Sequence, residues 1–135
     1  MRALIVEDEL ITGVVLKRIL TSEWECDFVV NGKDAVDAFI GAWEKGAPHD
    51  LICLDVIMPE MNGLEVLKAI REYEAAHAAP RKVKIIMTSA LSSAADVSKA
   101  HALGCDSYLV KPIIKQQLEA ELRRLGLLKN PRATI

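Results

Sequence analysis

The chain predicts an open, doubly wound α/β fold with five parallel strands, and three observations carry that expectation. Five short apolar runs alternate with five helix-period segments along the 135 residues. Three of the runs, Ala3–Val6, Leu51–Leu54 and Val83–Met87, are nearly continuous rather than alternating, as strands covered on both faces are. The conspicuous polar residues stand at the ends of runs: Glu7 and Asp8, Asp55, Thr88, and Lys111.

Each element has its own signal. Ala3–Val6 is the first strand, and Ile11 to Leu20 is a helical but broadly apolar segment. The second strand spans Cys26–Val30, and Asn31 is placed to cap a helix carrying Val36, Phe39, Ile40 and Trp43 at helical spacing. Leu51–Leu54 is the third strand, followed by a helix with Leu64, Leu67, Ile70 and Tyr73, and Pro80 closes that stretch. After Val83–Met87 comes a weaker helical segment, Ala94 to Leu103. Ser92 and Ser93 can cap it, and Gly104 suits a left-handed residue at its end. Tyr108–Val110 is the last strand, which Pro112 terminates. Ile114, Leu118, Leu122 and Leu125 mark the last helix. Right-handed crossovers restrict such a chain, and five strands fit the flavodoxin-like (βα)5 sheet order 2-1-3-4-5. One domain is expected over residues 1–127, with 128–135 as a short tail and no output domain.

Composition narrows the function. A net charge of −2, with the basic residues scattered, gives no footprint for direct nucleic-acid binding. No run reaches membrane-spanning length, and the N-terminus lacks a signal-peptide pattern. Three cysteines without a C-x-x-C pair, Cys26, Cys53 and Cys105, read as reduced thiols packed like small hydrophobes, so a cytoplasmic protein is expected. The histidines (His49, His77, His101) are scattered and form no catalytic set.

In an open parallel sheet, ligands bind outside the C-terminal strand ends, where the first and third strands part. The expected order brings Glu7, Asp8, Asp55, Thr88 and Lys111 to that edge. Clustered carboxylates repel one another unless a hard divalent cation resolves the conflict, and Mg²⁺ (or Mn²⁺) suits such a set. A carboxylate so placed can attack phosphorus, with Lys111 and Thr88 meeting the phosphoryl oxygens. Duller readings stand beside this one. Glu7, Asp8 and Glu9 can simply favour a helix N-terminus, Asp55 can form a turn before Pro59 and Gly63, and Tyr108 can be ordinary strand packing. Cys53 is expected in the core, and Met58 and Met61 against the loop.

Four motifs, each at a strand end, carry a resemblance: Val6-Glu7-Asp8-Glu9, Asp55-Val56-Ile57-Met58-Pro59-Glu60-Met61-Asn62-Gly63, Met87-Thr88-Ser89-Ala90 and Val110-Lys111-Pro112. From Met1 to about Leu127 the chain resembles a response-regulator receiver domain of two-component signalling, similar to the single-domain chemotaxis regulators. The resemblance implies that Asp55 accepts a phosphoryl group from a histidine kinase or histidine phosphotransfer protein. It implies Asp8 as direct metal ligand, Glu7 as its water-mediated partner, and Asp55 and the Ile57 backbone carbonyl completing the metal set. Lys111 would bind the phosphoryl group, with a cis bond before Pro112, while Thr88 and Tyr108 would form the switch. Output would pass to a partner protein through the fourth helix, fifth strand and fifth helix, including Ser98, Ala102, Tyr108 and Gln117. A monomer is the expected state.

The resemblance also implies that Ile57 and Ala90 flank the path of a hydrolytic water, which neither side chain can position, so slow self-dephosphorylation is expected. A haloacid-dehalogenase-like phosphatase would want an acid where Ile57 stands. A flavodoxin-like cofactor binder would want a Ser/Thr/Gly loop where Glu7-Asp8-Glu9 stands. A degenerate receiver acting as a phosphorylation-independent interaction module stays open.

Overall fold

The computed structural model describes residues 1–20, 24–58 and 60–128. Strands and helices alternate as β1 (Arg2–Val6), α1 (Leu10–Leu20), β2 (Glu25–Val29), α2 (Gly32–Glu44), β3 (Leu51–Asp55), α3 (Gly63–Ala76), β4 (Lys84–Ser89), α4 (Ala94–Ala102), β5 (Ser107–Val110) and α5 (Lys115–Arg124). The strands form one parallel sheet in the order β2-β1-β3-β4-β5, the flavodoxin-like arrangement expected. Among the described residues no helix is long and apolar enough to cross a membrane. The expected tail lies, beyond Leu128, outside the described residues.

The continuous apolar runs have a direct explanation. Successive side chains of a strand point to opposite faces, so a strand buried on both sides supplies two cores at once. Leu4, Val6, Ile52, Leu54, Ile85 and Met87 face one layer, where Phe39 of α2, Val66, Leu67 and Ile70 of α3, and Ala100 of α4 cover them. Ala3, Ile5, Leu51, Cys53, Ile86 and Leu109 face the other, against Leu16 and Leu20 of α1 and Leu118 and Leu122 of α5. Each such aliphatic side chain contributes about 1.5–3 kcal/mol when fully buried. Met58 lies in the first core and Met61 packs against it, as expected of that loop. All three cysteines are free thiols. Burial pushes Cys53 up to about 12 and Cys105 up to about 11, so neither offers a reactive thiolate near neutral pH.

Helix starts follow local chemistry. Asn31 accepts from the Asp34 backbone N–H and caps α2. Asn62 and Glu65 form a reciprocal capping box at α3. Ser93, not Ser92, caps α4, and Gly104 follows that helix at φ +105. Two expectations shift. Ile114 is not part of the buried stripe of α5: it occupies the N-cap position and stays exposed, leaving Leu118 and Leu122 to anchor the helix. The broad apolarity of α1 is not all core either, because Leu10 and Ile11 are 75% and 81% exposed.

The N-terminal strand ends are fastened by ion pairs. Arg71 of α3 bonds to Glu74 at 2.6 Å, Asp106 at 3.0 Å and the carbonyls of Val83 and Gly104 at 2.9 Å. Buried Glu74 also accepts from the Val83 N–H at 2.7 Å. Arg2 pairs with Asp27, which also meets His49, each at 2.8 Å. At the other end of the sheet the chain is held by close backbone approach. A Cβ on Gly63 would stand 2.1 Å from the Asp55 carbonyl oxygen and 2.9 Å from the Val56 Cα. Only glycine lets α3 start against the end of β3, where the Gly63 N–H donates to the Val56 carbonyl at 2.7 Å. Gly63→Ala is therefore expected to cost roughly 1–3 kcal/mol in urea unfolding and to shift the amide resonances of Asp55 to Ile57. An unchanged spectrum would contradict this account of the loop.

Candidate functional site

Strand register assembles the site. Val6 pairs with Leu54, so Glu7 and Asp55, each one residue on, emerge side by side. Asp55 pairs with Thr88 on β4, and β5 ends at Val110, sending Lys111 back over the same edge. Lys111 Nζ then lies 3.1 Å from Glu7 Oε2, 3.3 Å from Asp55 Oδ2 and 2.8 Å from Glu9 Oε1. The peptide bond before Pro112 is cis, as expected. Asp8, Glu9, Asp55, Ile57, Ala90 and Lys111 line a cavity of about 260 Å³, with Glu7 and Thr88 buried beside it. A larger cavity of about 480 Å³ sits at the opposite strand ends, between Trp43, His49, Arg81 and Leu127, and includes none of the predicted site residues.

The electrostatics of this arrangement follow from its crowded carboxylates. Burial, then the neighbouring Glu7 charge, pushes the Asp55 carboxyl up to about 7, and the Lys111 ammonium offsets only part of that. Burial opposes the charge on Lys111, but hydrogen bonds to Glu9 and Glu7 and the Asp55 charge outweigh it and raise its pKa above the ordinary lysine value. Carboxylate oxygens of Glu7, Asp8 and Asp55 all lie within 4.8 Å of one another. Glu7 Oε2 touches the ammonium without an aligned hydrogen bond. The set is all oxygen, crowded and under-neutralised, which fits a hard divalent cation.

The two proposed switch residues are placed differently. Thr88 is fully buried and its Oγ1 has no hydrogen-bond partner. Such a hydroxyl costs stability unless something else uses it. Tyr108 is half-buried, packs against the first core and donates from its phenol to the Leu91 carbonyl at 2.9 Å. Ile57 is 55% exposed at the mouth of the cavity, and its N–H donates to Asp55 Oδ1 at 3.3 Å. Glu9 was legible only as part of an acidic run. Its contact with Lys111 joins residues that are 102 positions apart and depends on side-chain reach. The one available signal was a third carboxylate in a loop facing the lysine-bearing strand end.

Comparison with known proteins agrees with this geometry. Residues 3–123 match the response regulator receiver domain, and the chain belongs to that family of two-component signalling proteins rather than to the metabolic enzymes. It is 34% identical over 119 residues to the chemotaxis protein CheY of Treponema pallidum, covering 87% of this chain and 76% of that one. It is 38% identical over 125 residues to the transcriptional regulatory protein PcoR of Escherichia coli, covering 92% of this chain but only 50% of PcoR. The chain thus spans about half the length of PcoR. Among solved structures it superimposes with a TM-score of 0.83 and 26% identity on a chain of the CheX-CheY-BeF3-Mg complex from Borrelia burgdorferi, over 93% of this chain and 89% of that one. With the Saccharomyces cerevisiae structure of the phosphotransfer protein Ypd1 and the Ssk1 receiver domain, the TM-score is 0.80 at 29% identity, over 95% and 92% of the two chains.

The raised Asp55 pKa makes metal-free stability depend on pH. Between about pH 4 and 7 the folded chain holds a proton that the unfolded chain has released, so this group's contribution falls as pH rises through that window. The slope is at most about 1.4 kcal/mol per pH unit. Urea unfolding in chelator should show the wild type losing stability from pH 5 to pH 8 relative to Asp55→Asn, with Mg²⁺ closing the gap at pH 8. Parallel pH profiles for the two proteins would show that Asp55 is not electrostatically crowded.

Proposed function

We propose that the protein is a phosphorylation-controlled switch that accepts a phosphoryl group on Asp55 and alters its α4–β5–α5 surface to regulate a partner protein. The observation that carries this reading is the meeting of Lys111, the carboxylate cluster and an unpartnered Thr88 hydroxyl around one strand end. Asp55 attacks the phosphorus of a phosphohistidine, the P–N bond breaks, the imidazole leaves with a proton and an acyl phosphate remains. Lys111 follows the charge onto the phosphoryl oxygens. Glu7, Asp8, Asp55 and the Ile57 carbonyl would hold Mg²⁺ (or Mn²⁺), which supplies neutralisation of the charge gathered there.

Thr88 then donates its unused hydroxyl to the phosphoryl group. Its movement opens space for the Tyr108 ring, which must give up the Leu91 carbonyl to turn inward. The result is a shift between two packings, biased by one covalent group. Ser98, Ala102 and Gln117 are exposed on α4 and α5 on either side of Tyr108, and this is the face offered to a downstream target. The donor is a histidine kinase or a histidine phosphotransfer protein, a reading supported by the likeness to the receiver solved with Ypd1. Exposed Leu10, Ile11, Val14 and Val15 on α1 give such a donor an apolar seat beside the cavity.

Incubation with acetyl phosphate and Mg²⁺, read by intact mass, should add one phosphoryl group to the wild type and none to Asp55→Asn or to chelated protein. A wild type that stays unmodified would point instead to a phosphorylation-independent interaction module. Neither Ile57 nor Ala90, both lining the cavity, can hydrogen-bond a hydrolytic water through its side chain. Ile57→Asn is therefore expected to shorten the acyl-phosphate half-life about two- to tenfold. An equal or longer half-life in the variant would refute this account of slow self-dephosphorylation.

A further inference from the structure

Glu9 stands one residue past the acidic pair and has no role in the scheme above, yet it makes the shortest contact of Lys111 with a carboxylate. Its Oε1 accepts from Nζ at 2.8 Å, against 3.1 Å for Glu7 and 3.3 Å for Asp55. The backbone holds it in that position. The Glu9 N–H donates to Glu7 Oε1 at 3.1 Å, and its carbonyl accepts from the Gly13 N–H at 3.1 Å, in the first turn of α1. The side chain is 62% exposed, whereas that of Lys111 is 14% exposed. Among the residues lining the cavity Lys111 is the single cation, facing the carboxylates of Asp8, Glu9 and Asp55.

A phosphoryl group arriving at Asp55 needs that ammonium, and Glu9 already holds it. We propose that Glu9 is a built-in competitor for Lys111, a positioning residue that keeps the lysine paired before phosphorylation and so limits how readily Asp55 is modified. This rests on Asp55 being the phosphoacceptor. The ammonium exchanges a monoanionic carboxylate for phosphoryl oxygens carrying about two charges, so the exchange runs toward the phosphoryl group. Glu9 reaches water from its exposed position, which keeps the penalty for releasing it small. Its charge also repels any incoming phosphate dianion at the cavity mouth.

The two charge effects of removing this carboxylate have opposite signs, and a merely structural role would not separate them. In the 135-residue chain, Glu9→Gln should raise the rate of phosphorylation by acetyl phosphate and the affinity for BeF3⁻ about two- to fivefold. Affinity for Mg²⁺ alone, by calorimetry, should fall or stay level, because a negative charge has been removed. The gain should shrink at about 0.5 M salt, and Glu9→Asp, which keeps the charge, should lie closer to the wild type. A variant phosphorylated no faster than the wild type, or one that loses BeF3⁻ and Mg²⁺ affinity together, overturns the role of Glu9 while leaving Asp55 as acceptor. A wild type that takes no phosphoryl group overturns both.

Discussion

Lys111 reaches carboxylates that belong to the first and third strands from the end of the fifth, passing over the end of β4 to do so. The parallel order β1-β3-β4-β5 sets that distance. Among the described residues the ammonium is the one positive charge lining the cavity, so the positions of Glu7, Glu9 and Asp55 are all tied to it. Elsewhere the molecule is arranged to let this edge stay unsatisfied. Two close-packed layers hold the strands in register, and the Arg71 and Arg2 ion pairs clamp the opposite ends. Stability is concentrated away from the carboxylate edge, as is common for functional sites.

This division explains which parts of the molecule a sequence can announce. A strand buried on both faces writes itself as an apolar run, and a carboxylate at its end is conspicuous because burial makes it costly. Asp55 and Glu7 were legible on those terms, Asp8 and Lys111 by their place just past strand ends, and the sheet order by the alternation of strands and helices. Asn62 was less so, since its capping role appears only once Gly63 is known to open α3. The outward face of α1 was hidden for another reason: a helix apolar on all sides does not say which side faces water. Ile114 misled because an apolar residue in step with a stripe can still fall on the cap. Glu9 lay outside the pattern altogether, since its partner is set by tertiary approach and not by spacing.

The half-buried Tyr108 and the wholly buried Thr88 differ in how their hydroxyls are satisfied. Thr88 carries an unspent hydrogen bond, which makes its present position slightly unfavourable. Tyr108 carries a spent one, to Leu91, which holds its ring in place. A change at Asp55 that satisfies the first while releasing the second needs little net energy, because one bond gained offsets one bond lost. Under the proposed switch, such near-balance would let a single covalent group move the population between two packings.

The two indoles of the chain have a practical consequence. Trp24 precedes β2 in the layer beneath α1 and α5, and Trp43 borders the cavity at the N-terminal strand ends. Both are therefore remote from the carboxylate edge and embedded in the clamped half of the molecule. Their emission will follow the loss of the core and stay nearly blind to events at Asp55. Folding can thus be watched through native tryptophan, leaving the proposed response of the α4–β5–α5 face to a probe placed there.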